Sequence, residues 1–119
     1  MITRALIVRK PWIDLILSGE KTWEMRSRAT TIRGRVGLIE KGSGLIVGEV
    51  EIVDCSANLG MQQLFDHKDK HFVGDLNHLL VNWPIAWKLA FPKRYDKPIP
   101  YNHPQGAVIW VKLEGNHVR

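Results

Sequence analysis

Cysteine is almost absent from this sequence. Cys55 is the only one in 119 residues, so the chain has no internal disulfide and a reducing compartment is the expected setting. Long apolar runs are absent as well. None approaches the roughly 18–20 residues that span a bilayer. The apolar stretch near the start, Ala5 to Val8, is too short for a signal peptide. Cytoplasm is therefore the expected location, with no membrane partner. Acidic residues are in deficit, with 12 Asp+Glu against 17 Lys+Arg. Internal repeats, low-complexity segments and domain boundaries are missing, so residues 1–119 read as one domain, long enough to bury a core without disulfide or metal staples. No Ser-His-Asp or Cys-His arrangement is readable. Lys41-Gly42-Ser43-Gly44 lacks the order of a phosphate loop.

The positive charge is concentrated. Arg4, Arg9, Lys10, Lys21, Arg26, Arg28, Arg33, Arg35 and Lys41 crowd the first third, where only Asp14, Glu20, Glu24 and Glu40 are acidic. Such a balance attracts polyanions through counterion release and long-range steering. A second basic cluster runs through Lys88, Lys93, Arg94 and Lys97.

Residues 5–8 predict a buried strand. Pro11 suits the first turn of a helix, Trp12, Leu15 and Ile16 follow at helical spacing, and Gly19 supplies the left-handed stop. From Thr22 to Arg26 polar and apolar residues alternate, which predicts a strand with Thr22, Glu24 and Arg26 on one face and Trp23 and Met25 on the other. A polar loop should follow over 27–34. Strands are expected at 35–40 and 45–54, joined by a glycine hairpin, with Ile46, Gly48, Val50 and Ile52 sharing a face. One or two helical turns are expected around Met61, Leu64 and Phe65, and others around Leu76, Leu79 and Leu80, with a polar His-containing loop between them. A strand is expected at 85–91, an irregular stretch from Pro92 to Pro104, a closing strand at 107–113 and a frayed tail after Leu113. Five or six short strands with short flanking helices predict an α+β fold built on a small, mostly antiparallel barrel. They exclude a doubly wound parallel sheet.

Lys21, Glu24 and Arg26 bring an ammonium, a carboxylate and a guanidinium into one short turn and strand. The trio can form a pocket floor, with Lys21 and Arg26 on a phosphate and Glu24 accepting from a base amine. It can serve as acid and base if burial separates the pKa values. It can equally be a solvated, salt-bridged strand face. Trp12 follows Arg9 and Lys10 at a helix start and is the best stacking candidate. Trp23, Trp87 and Trp110 read as core. His67 and His71 are four apart, but no third ligand is patterned, so no metal and no cofactor are expected.

Gly19-Glu20-Lys21-Thr22-Trp23-Glu24-Met25-Arg26 resembles the Gly-x-Lys-x-x-Glu-x-Arg signature of the ASCH family, relatives of the PUA-like RNA-binding barrels. Pro11-Trp12 before the helix, Arg33-Gly34 before a strand, Gly48, Trp87, Pro98-Ile99-Pro100 and Gly106 extend the likeness over nearly the whole chain. The resemblance implies a barrel ringed by short helices, with a cleft at the motif. It implies RNA or a nucleoside or nucleotide as partner. Some relatives cleave RNA, and some hydrolyse N4-acetylcytidine. In the latter a threonine at the position of Glu24 is the nucleophile, the lysine matching Lys21 activates it, and a glutamate from the later helical region assists. A carboxylate at position 24 is a poor acyl acceptor, although it can activate water. Thr22 lies roughly 6–7 Å away along the strand. Binding is thus the first expectation: Arg9, Lys10, Arg28, Arg33 and Arg35 track the backbone, Trp12 stacks, and Lys21, Thr22, Glu24 and Arg26 line the cleft. A hydrolase using Lys21 and Glu24 is the alternative. The oligomeric state is not readable, a monomer being the simpler expectation.

Overall fold

The structure, a computed structural model, describes residues 2–113. The tail expected to fray lies outside the described residues. In chain order the elements are β1 (Arg4–Val8), α1 (Trp12–Leu17), β2 (Trp23–Arg26), β3 (Gly34–Glu40), β4 (Leu45–Cys55), α2 (Met61–Asp66), α3 (Lys68–His71), α4 (Leu76–Asn82), β5 (Ile85–Pro100) and β6 (Trp110–Lys112). The six strands form one mixed sheet in the order β2-β5-β4-β3-β1-β6, curled into a half-barrel. Only β1 and β3 run parallel; the other pairings are antiparallel.

Local sequence explains much of this. Gly19 ends the α1 segment at φ +88°, a conformation that side-chain-bearing residues adopt at a cost. The alternation in β2 splits its side chains as expected. Trp23 and Met25 pack with Leu64 of α2 and Leu79 of α4, while Glu24 and Arg26 meet on the opposite face. The main core lies between the sheet and α1, joining Leu6, Val8, Leu38, Val50 and Ile52 to Ile13, Ile16 and Leu17.

Four details depart from the sequence reading. First, Ile46 does not share the face of Val50 and Ile52. Leu38 pairs with Gly48 and Ile39 with Ile46, so Val47 is an extra residue, a bulge. The bulge sends Ile46 into a second cluster with Ala5, Ile7, Ile39 and Val111, and Val47 into the main core. Second, β5 continues through the proline-rich stretch to Pro100. Beyond Leu89, β5 pairs only with β4, so its outer edge needs no backbone donors and tolerates proline. Third, the closing strand shrinks to Trp110–Lys112. Fourth, the expected loop between α2 and α4 contains the short helix α3.

Candidate functional site

The motif strand β2 and the first strand β1 face each other across an open seam. Edge strand β2 is not hydrogen-bonded to β1, yet Arg26 on β2 donates from its guanidinium to the Ile7 carbonyl on β1 at 3.2 Å. The curl of the sheet leaves a cleft of about 250 Å³ along this seam. That is just under the roughly 300–1,000 Å³ of drug-sized ligand pockets.

Glu24 forms the floor. It is 7 % exposed. Its Oε2 accepts from Arg26 at 2.8 Å, and its Oε1 stands 3.8 Å from Lys21 Nζ. Lys21 is 2 % exposed, and its ammonium donates to the Trp23 carbonyl at 2.7 Å and to the His71 carbonyl. The ammonium thus hydrogen-bonds two carbonyls and forms an ion pair with the carboxylate. Burial pulls the Lys21 pKa down from 10.5 to about 8, with Glu24 acting upward against burial and Arg26 adding to the fall. Aromatic rings back both cations. Nζ lies 5.0 Å from the Trp12 ring centroid, and the Arg26 guanidinium lies 5.4 Å from that of Trp87. Trp87 is itself stacked on Trp110.

His71 supports the floor from behind. It is fully buried. The Val73 amide donates to Nδ1 at 2.9 Å, which leaves Nε2 to donate to the Leu64 carbonyl at 2.7 Å. Burial, the largest cause, holds its pKa below 6.5, with Lys21 adding to the fall and the Leu64 bond opposing it. Both ring nitrogens serve the backbone. His67 instead stacks on Trp23 at 4.6 Å. Among the described residues no group of three His, Cys, Asp or Glu side chains could hold a metal.

The structure brings together five of the residues singled out in the sequence: Arg9, Trp12, Lys21, Glu24 and Arg26 all line the cleft. The others stand apart. Thr22 uses its backbone, donating to Lys70 O and accepting from Leu89 N. Lys10 pairs with Glu40 at 3.7 Å. The Arg28 carbonyl accepts from Trp87 Nε1. Arg33 caps the carbonyls of Thr30 and Ile32. Arg35 bonds Glu49 at 2.8 Å and the Phe91 carbonyl. Sequence reasoning missed Lys41, Val73 and Trp83, which also line the cleft. Lys41 carried a signal, as a cation at a hairpin start; Val73 and Trp83 arrive from the irregular middle and carried none. Among the described residues no helix is long and apolar enough to cross a membrane.

Comparisons with known proteins agree with this architecture. The crystal structure of ASCH from Zymomonas mobilis matches with a TM-score of 0.62 at 14% identity, covering 76% of this chain and 68% of that one. A single-substitution variant of the Zymomonas mobilis protein matches with a TM-score of 0.68 at 16% identity, covering 92% of this chain and 87% of that one. At these identities the likeness shows the fold. No curated protein matches. The family model of the ASCH domain matches residues 6–99, from β1 to the end of β5, and this chain belongs to the ASCH domain family.

Proposed function

We propose that the chain binds RNA by taking one base, with its sugar, into the cleft at the seam. The observation that carries this reading is the buried Glu24 carboxylate, held by Lys21 and Arg26 on the floor of a cleft with Trp12 and Trp83 in its lining. A carboxylate fixed in this way accepts from a base N–H, and an indole wall stacks on the base face. The ASCH family is associated with RNA binding, and the basic first third of the chain supports an anionic partner. The test is fluorescence anisotropy of labelled single-stranded RNA across a salt series. Affinity should fall steeply with salt and collapse in Glu24→Ala. Salt-independent binding, or a Glu24→Ala variant that binds normally, sinks the reading.

A hydrolase is the second reading, and one observation favours it: Lys21, at about 8, titrates where a proton-transfer group works well. Two features weigh against the acetylcytidine reaction. Position 24 is glutamate, not threonine, and residues 57–84 contain no glutamate to assist. Incubation with N4-acetylcytidine and with RNA, beside Lys21→Ala, separates the readings. Binding alone predicts no turnover of either.

A further inference from the structure

We infer that Arg9 and Lys41 form a phosphate-binding position at the mouth of the cleft, so that its ligand is a phosphate ester of a nucleoside, not the free nucleoside. The inference rests on the proposed base-binding reading and adds to it the ligand's charged part.

The argument starts with which cations are available. Four cationic residues line the cleft: Arg9, Lys21, Arg26 and Lys41. The sequence pattern points to Lys21 and Arg26 for a phosphate. The fold commits both elsewhere. Lys21 is directed at two carbonyls and Glu24, and Arg26 at Glu24 and the Ile7 carbonyl. Arg9 and Lys41 are exposed, and among the described residues neither side chain has an ion pair or hydrogen bond.

The topology then places these two together. β1 and β3 are parallel neighbours whose last residues, Val8 and Glu40, are paired. The residues that follow, Arg9 and Lys41, therefore leave the sheet at the same end. The Lys41 amide donates to the Val8 carbonyl at 3.0 Å, which pins the start of the hairpin against β1. The nearest acidic side chain along either strand, Glu40, is neutralised by Lys10 at 3.7 Å. The mouth thus presents two uncommitted cations above a floor whose two cations are already engaged with Glu24 and backbone carbonyls. A guanidinium and an ammonium suit a phosphate, the first as a fork of donors and the second as a point charge. The phosphate can belong to a mononucleotide or to an RNA strand.

Isothermal titration at constant ionic strength tests this with four ribonucleosides, their 5′-monophosphates, short single-stranded RNA and inorganic phosphate. A monophosphate or the RNA should bind about tenfold tighter than the matching nucleoside, the gain of one good charge-assisted contact. Arg9→Gln with Lys41→Gln should bring that ratio close to one. Lys97→Gln, on β5 and outside the cleft lining, should leave the ratio alone, and Lys41→Arg should preserve it. A gain shared by monophosphates supports a terminal phosphate, and a gain confined to the RNA supports a strand phosphodiester. If phosphate adds nothing to nucleoside affinity, the inference is overturned while the base-binding reading stands. If nucleosides fail but phosphate esters or inorganic phosphate bind and respond to the double variant, the phosphate position stands and the base-binding reading falls. Binding of none of these ligands overturns both.

Discussion

Arg26 reaches across the seam of the half-barrel to the Ile7 carbonyl, 3.2 Å away, while the same nitrogen holds Glu24 at 2.8 Å. β2 is one edge of the sheet, and β1 lies next to the other edge. One guanidinium therefore ties two strands that share no ladder and sets the floor of the cleft between them. Arg26→Lys keeps the charge but gives up the planar guanidinium that lies over the Trp87 ring while one of its nitrogens reaches both acceptors. We expect it to lower stability by ~1–2 kcal/mol in urea denaturation and to weaken RNA binding at least about tenfold. Wild-type affinity in Arg26→Lys would remove the guanidinium from the account.

The pH dependence follows from Lys21. Its folded pKa of about 8 lies below 10.5, so between those values the unfolded chain binds more protons and stability rises with pH. At neutral pH both states are protonated, and the buried charge is a net cost. Binding runs the other way. Lys21 loses its charge as pH climbs through about 8, and affinity for RNA should drop across pH 7 to 9. Lys21→Met should bind weakly and without that drop, as anisotropy at fixed ionic strength would show.

His71 should matter to stability more than an uncharged ring usually does. Its depressed pKa means that the stability from the neutral ring is present above 6.5 and is lost as pH falls through the folded value. His71→Ala strands the Val73 amide and the Leu64 carbonyl in the interior. Each stranded group costs about 1–3 kcal/mol. Thermal unfolding should show a fall in Tm of several degrees, and the Val73 amide should shift in the NMR spectrum because it loses its bond to the His71 ring.

Gly48 offers a control far from the chemistry. A Cβ there would lie 2.5 Å from the Lys93 carbonyl oxygen and 2.6 Å from Leu17 Cδ2. Gly48→Ala must push β5 or α1 away and should cost ~2–3 kcal/mol. At Gly34 nothing lies within 4 Å, and only its φ of +94° opposes a side chain. Gly34→Ala should cost less, about 1 kcal/mol. Equal costs in chemical denaturation would mean that close packing at Gly48 is not what requires a glycine.

The two indoles of the lining can be separated by substitution. Base stacking contributes about 1–3 kcal/mol. Trp12→Ala and Trp83→Ala should each weaken RNA binding by that amount if both rings touch the base, and ligand should quench the fluorescence of both. Only Trp12 stood out in the sequence, beside Arg9 and Lys10. Trp83 caps the C-terminal end of α4 and reaches the cleft only through the fold.

The sequence by itself determined the local elements and the motif. Alternation from Thr22 to Arg26 put Glu24 and Arg26 on one face and Trp23 and Met25 against the helices. Gly19 marked the end of α1 because few residues other than glycine accept its backbone angle. What it could not determine depends on contacts between distant segments. The chain leaves Lys21 open between a pocket floor and a solvated face, and only the carbonyl of His71, fifty residues on, and the desolvation around it make it a buried brace. The bulge at Val47 follows from pairing with β3; the apolar run Leu45-Ile46-Val47 does not by itself say which residue is the extra one. The pairing of Arg9 with Lys41 at the mouth exists only because β1 and β3 lie parallel and end together. Burial, register and proximity are properties of the whole sheet, so the floor of the cleft was legible in eight residues while its walls and its mouth were decided by the fold.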